Sequence, residues 1–88
     1  MNPQEHSATE ARLKHVLQES KSEYEATKKI FSEAVRHLDE LGYQHPDGVA
    51  SLDQAAKAHN RAFRKYREAL LDFNRFILDG KPPEWRLD

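Results

Sequence analysis

Five basic side chains in the second half of the chain form its most concentrated set of chemical groups, with no acidic residue among them. They follow Gln54 and are Lys57, Arg61, Arg64, Lys65 and Arg67. The first three recur at helical spacing, so this basic stripe could bind the phosphates of a nucleic acid such as RNA. The alternative, which the sequence favours, is pairing with acidic residues of the first half, which orients two helices. The acidic candidates are Glu23, Glu33 and Asp39.

The five histidines suggest metal binding, but their spacing does not match a metal motif. No His-Glu-x-x-His pattern occurs, and Glu33 with His37 is a surface pair four residues apart. His59 differs because it falls within a run of apolar positions. It is either a core histidine, which bonds to a neighbour or to water or sets the helix register, or a pH-sensitive element. We expect no metal site.

Motifs for covalent or phosphate chemistry are absent from the sequence. It contains no glycine-rich phosphate loop, no Gly-x-Ser-x-Gly and no cysteine. A two-layer hairpin also lacks the concave volume of a substrate pocket. We therefore expect no catalytic residues, no cofactor and no enzymatic activity.

Composition and charge indicate long, two-faced helices. Apolar residues make up 38% of the 88 residues and charged residues 33%, which is typical of such helices rather than of a thick core. The net charge of -1 removes any global electrostatic argument for nucleic-acid binding. No apolar run is long enough to span a membrane, and the first residues lack the blocks of a signal peptide. The expected compartment is the cytoplasm.

Two runs of positions spaced alternately by four and three residues predict two helices with coiled-coil-like seams. The first run is Leu13, Leu17, Ser20, Tyr24, Thr27, Phe31, Ala34, Leu38 and Leu41, and the second is Val49, Leu52, Ala56, His59, Phe63, Tyr66, Leu70, Phe73 and Ile77. Folding the chain between the runs places small residues opposite large ones, which fills a seam without voids. The predicted fold is an all-α antiparallel hairpin.

The expected pairing follows from that fold. Ser20 faces Phe73, Thr27 faces Tyr66, Ala34 faces His59 and Leu41 faces Leu52, with interleaved pairs Leu17 with Ile77, Tyr24 with Leu70, Phe31 with Phe63 and Leu38 with Ala56.

Capping signals predict where the helices begin and end in this single domain. A capping box at Ser7 starts helix 1 and Gly42 ends it. Helix 2 starts between Pro46 and Ser51, with the capping box at Ser51 favoured, and Gly80 ends it. The expected bounds are 7–41 for helix 1, 42–50 for the turn, 51–79 for helix 2 and 80–88 for a tail.

A further stripe on helix 2 predicts self-assembly. It has exact seven-residue spacing and comprises Ala55, Ala62, Ala69 and Phe76. Three apolar positions per heptad make a face wide enough for two neighbours, which a single hairpin does not supply. We expect a homodimer that forms a four-helix bundle, with the alanines as its contact. The alternative is that they are surface helix formers.

The tail contains the only tryptophan. Helix 1 is expected to extend beyond Gly80, so Trp85 could cover Leu13 and Val16; otherwise the Pro-Pro-Glu-Trp segment is free to bind a partner. The combined hypothesis is a small non-catalytic interaction or scaffold protein. The alternative is a nucleic-acid-binding hairpin that uses the basic stripe.

Overall fold

The chain folds as two long helices that pack against each other in a computed structural model, which describes residues 2–42 and 46–83. Helix α1 spans Pro3–Leu41 and helix α2 spans Pro46–Asp79. The structure measures 59 × 19 × 18 Å, so it is about three times as long as it is wide. The predicted all-helical hairpin is confirmed.

Helix α1 begins four residues before the predicted start. Asn2 is its N-cap, because the Asn2 Oδ1 accepts a hydrogen bond from the Glu5 N–H at 2.8 Å, and Pro3 occupies the first helical position. Asparagine caps a helix as well as serine does, and proline there has no N–H to satisfy. The predicted end is retained, since Gly42 has a φ of 94° and its N–H donates to the Leu38 carbonyl at 2.8 Å.

Helix α2 begins at Pro46, five residues before the predicted start at Ser51, so the connection is shorter than expected. Proline is tolerated in a first helical turn, and the acidic Asp47 lies favourably there. At the other end α2 stops at Asp79 as predicted, where Gly80 has a φ of 70° and its N–H donates to the Phe76 carbonyl.

The seam on α1 matches the prediction, whereas the seam on α2 matches it at alternate positions only. From Leu13 to Leu38 every predicted α1 position is buried or half-buried, although Leu41 is exposed. On α2 four predicted positions are retained: Leu52, His59, Tyr66 and Phe73. At each of the other five positions, the preceding residue lies in the seam instead. The α2 seam is therefore Gly48, Leu52, Ala55, His59, Ala62, Tyr66, Ala69, Phe73 and Phe76.

The helix register differs from the predicted one by one heptad. Thr27 Oγ1 lies 3.4 Å from His59 Nδ1 rather than opposite Tyr66, and Leu38 lies against Gly48 rather than Ala56. The shift corresponds to roughly 10 Å along the helix. The direction of the shift agrees with the earlier start of α2, at Pro46 rather than Ser51.

The new register retains the alternation of small and large residues. It places Ala34 opposite Leu52 and Tyr24 opposite Ala62.

The open end of the hairpin is closed by side chains of both helices. Phe76 is fully buried, Leu13 is 2% exposed and Thr9 is buried, while the His6 ring lies 4.6 Å from the Phe76 ring. The first turns of α1 therefore do have α2 beside them. Trp85, which was expected to cover this end, lies outside the described residues.

Candidate functional site

The seam consists of two layers that differ in residue size, because the heptad places alternate positions on opposite sides of the hairpin. The small layer contains Ser20, Thr27 and Ala34 of α1 with Gly48, Ala55, Ala62 and Ala69 of α2. The large layer contains Leu17, Tyr24, Phe31 and Leu38 of α1 with Leu52, His59, Tyr66 and Phe73 of α2.

The small layer brings the two backbones close together. Ala62 is 3% exposed, and a Cβ added to Gly48 would meet the Leu38 Cδ1 at 3.0 Å. Residues without long side chains leave room for such an approach. This side of the seam is closed by the hairpin itself.

The four residues predicted to contact a second copy are part of this closed seam. Ala55, Ala62, Ala69 and Phe76 are all at most 6% exposed within one chain. Their regular spacing reflects packing within the hairpin, so this stripe is not available as an outer face. The homodimer itself stays a prediction.

Aromatic rings dominate the middle of the large layer. The Tyr24 ring stacks on His59 and on Tyr66, with centroid distances of 5.1 Å and 5.6 Å. The Phe31 ring also stacks on His59, with a centroid distance of 5.7 Å. All four side chains are half-buried. Two helices cannot enclose rings of this size, so the edges of the cluster remain accessible.

His59 is satisfied by a neighbour, which is one of the two roles that its position in the sequence suggests. The Thr27 hydroxyl donates to the Tyr24 carbonyl at 2.9 Å. Because a hydroxyl has one proton, the same oxygen accepts from His59 Nδ1–H at 3.4 Å. The bond joins α1 to α2 and favours the observed register.

Beside the large layer lies a row of apolar side chains that the sequence placed in the seam. We call it the apolar stripe; its members, spaced by seven residues, are Val49, Ala56, Phe63, Leu70 and Ile77. Val49, Phe63 and Ile77 are each 48% exposed and Leu70 is 39% exposed. Phe63 also contacts the aromatic cluster, with its ring 5.8 Å from Tyr24.

Together the large layer and the apolar stripe form one continuous surface, which we call the open face. These side chains are apolar, and their spacing in the sequence predicted that the stripe would lie in the interior of the hairpin. The alanine repeat one residue earlier could have shown that the stripe lies outside the seam, because small residues allow the two helices to approach more closely. The open face is the candidate site.

The basic stripe is divided between two environments. Lys65 Nζ lies 3.6 Å from Glu23 of α1, one of the expected interhelical partners, whereas Lys57 pairs with Asp53 of its own helix at 3.0 Å. Arg61, Arg64 and Arg67 are exposed and make no ion pair with another described residue. One residue of the stripe is therefore paired across the hairpin, and its three arginines remain accessible.

A shallow groove lies on the closed side, between Ile30 and His37 of α1 and Ser51 and Gln54 of α2. It has a volume of about 400 Å³, and the side chain of His37 is exposed to solvent. Among residues 2–42 and 46–83, no group of three potential metal ligands comes together. The groove therefore offers less for recognition than the open face does.

Neither helix, within the described residues, has an apolar stretch long enough to cross a membrane. Comparison with known proteins finds no family model that matches the chain, and no curated protein or solved structure matches it significantly.

Proposed function

We propose that the chain is a small, non-catalytic interaction or scaffold protein of the cytoplasm, and that its open face packs against a second hairpin to form a four-helix bundle. The observation that carries the proposal is the exposed apolar stripe along the whole of α2, next to a half-buried aromatic layer. Exposed apolar surface of this continuity is characteristic of interaction sites.

The surface area of the single hairpin supports assembly. The chain exposes 6779 Å², whereas a compact monomer of its mass exposes roughly 5,300 Å². The excess is larger than the roughly 800 Å² that each partner contributes to a standard interface. A second layer of helices would cover it.

Energetics favour the same arrangement. Fully burying a large apolar side chain contributes about 1.5 to 3 kcal/mol, and Val49, Phe63 and Ile77 are only about half-buried in the hairpin. Each therefore has a substantial part of that free energy still to gain. A second hairpin supplies an equally long apolar surface.

Sedimentation of charge-substituted variants tests the proposal. Phe63→Glu and Leu70→Glu place a carboxylate within the open face and should shift a dimeric wild type towards monomer. Gln54→Glu, on the exposed closed side, is the matched control and should leave the dimer intact. A wild type that remains monomeric throughout the micromolar range would contradict the proposal.

A second candidate function is nucleic-acid binding. It is supported by Arg61, Arg64 and Arg67, whose guanidinium groups have no carboxylate partner among the described residues. Phosphate contacts would make the affinity for structured RNA fall with salt, and a triple Arg→Gln variant would bind less tightly with a smaller salt slope. An affinity unchanged by these substitutions would exclude this role for the stripe.

A further inference from the structure

We infer that the second hairpin is an antiparallel copy of this chain, related by a twofold axis that passes beside Phe63. The inference rests on the proposed function, because it specifies how the four-helix bundle is assembled. It follows from the position of the apolar stripe on α2, the fixed register between α1 and α2, and the charges along α1.

The apolar stripe determines where an antiparallel partner must lie. It begins at Val49 and ends at Ile77, with Phe63 at its centre. Two antiparallel copies of α2 overlap along the entire stripe only when their Phe63 side chains meet. Val49 then faces Ile77 of the second copy, and Ala56 faces Leu70, so a small residue again lies opposite a large one.

The register of the hairpin determines where the same twofold axis passes α1. Since Thr27 is level with His59 and Leu38 is level with Gly48, Phe63 is level with residue 23. The two copies of α1 therefore cross the axis there. Lys21 and Glu25 lie two residues to either side, so Lys21 of each copy faces Glu25 of the other.

These two side chains are suited to such a contact. Both are exposed, and neither makes an ion pair with another described residue in the single hairpin. They lie on the side of α1 that continues the open face. The twofold axis would form the contact twice.

A parallel arrangement of the two copies would cover the apolar stripe less well. The edge of α1 beside the open face carries Lys14, Lys21 and Lys28 at seven-residue spacing. A twofold axis along the helices would place α1 of one copy over α2 of the other, so these lysines would lie over the partner's apolar stripe, and burying a charge there without a partner is unfavourable. The antiparallel dimer avoids this contact, because it places the apolar stripe of each copy against that of the other.

Single cysteines introduced into this cysteine-free chain test the geometry directly. Under mild oxidation, Phe63→Cys should form a covalent dimer, because the two thiols meet at the axis. Val49→Cys should not, but Val49→Cys combined with Ile77→Cys should. Rapid crosslinking of Val49→Cys alone, or no crosslinking of Phe63→Cys, in a protein that sediments as a dimer, would overturn the antiparallel arrangement while leaving the proposed function intact.

Charge reversal gives a second test that leaves Phe63 in place. Lys21→Glu alone and Glu25→Lys alone should each raise the dimer dissociation constant roughly three- to tenfold, and the double variant should restore it. Lys29→Glu makes the same charge change on the outer side of α1 and should have little effect. Failure of the double variant to restore dimerisation would refute the pairing, whereas a monomeric wild type would refute the proposed function as well.

Discussion

The closed and open sides of the hairpin differ most clearly at neighbouring residues of α2. Ala62 is 3% exposed and Phe63 is 48% exposed, and Ala69 at 5% is followed by Leu70 at 39%. The larger and more apolar residue of each pair is the one that faces outward. In a two-helix protein, burial is thus determined by how closely two backbones can approach and not by hydrophobicity alone.

The small and large layers of the seam also have different roles. The small layer sets the distance between the helices and is complete within one chain. The large layer supplies apolar surface that two helices cannot enclose, and we propose that a second layer of helices covers it. The following substitutions test this division, from the largest expected effect on stability to the smallest.

Enlarging a residue of the small layer should have the largest effect. Ala62→Leu forces the helices apart, which we expect to cost about 2 kcal/mol or more and to lower the melting temperature by roughly 8 to 16 °C. Thermal unfolding followed by circular dichroism measures this change. The matched control is Ala50→Leu at an exposed position, which should be nearly neutral; equal melting of the two variants would show that Ala62 is not at a close approach.

The effect of replacing Gly48, which lies in a tight contact near the start of α2, should depend on the size of the new side chain. Gly48→Ala gains helix propensity of about 1 kcal/mol, but its Cβ would press on Leu38 at 3.0 Å, so the two effects should nearly cancel. Gly48→Leu cannot be accommodated and should cost roughly 1 to 2 kcal/mol. Urea unfolding of both variants measures the difference, and a stabilising leucine would contradict the observed contact.

The bond between Thr27 and His59 should have an intermediate effect. Thr27→Val removes the hydroxyl while retaining the shape, which leaves the His59 Nδ1–H without its acceptor at a cost of about 1 kcal/mol. Ser22→Ala, which removes an exposed hydroxyl of α1, is the control. In a His59→Phe background the cost of Thr27→Val should fall; an unchanged cost would mean that the two groups are not coupled.

Truncation on the open side should be mild in dilute solution. Leu70→Ala removes a side chain that is 39% exposed, so the expected loss is below about 1 kcal/mol, compared with about 2 to 5 kcal/mol for a core leucine. Because the stripe is proposed to be covered in the dimer, the loss should grow with protein concentration. Melting curves at several concentrations test this, and a large loss at all of them would place Leu70 in the core.

Much of the hairpin could be predicted from its residues. Gly42 and Gly80 mark the ends of the two helices, and the α1 seam follows from the heptad spacing of Leu13 to Leu38. The helix starts were less predictable, because Asn2-Pro3 and Pro46 compete with equally good capping boxes at Ser7 and Ser51. Both alternatives satisfy local rules, and the helices use the earlier start in each case.

The candidate site was predicted only in its composition. Phe63 and Leu70 were recognised as apolar, but the sequence assigned them to the interior and assigned Ala62 and Ala69 to an outer contact. The two stripes have the same seven-residue period and differ by about 100° around the helix, so periodicity alone does not distinguish them.

The sequence by itself determined the two helices, the antiparallel pairing and the alternation of small with large residues, because these depend on local propensity and spacing. Only the tertiary structure decided which stripe is buried and in which register. A slide of one heptad preserves the alternation, so the register depends on contacts between residues distant in the sequence: the approach of Gly48 to Leu38 and the bond between Thr27 and His59.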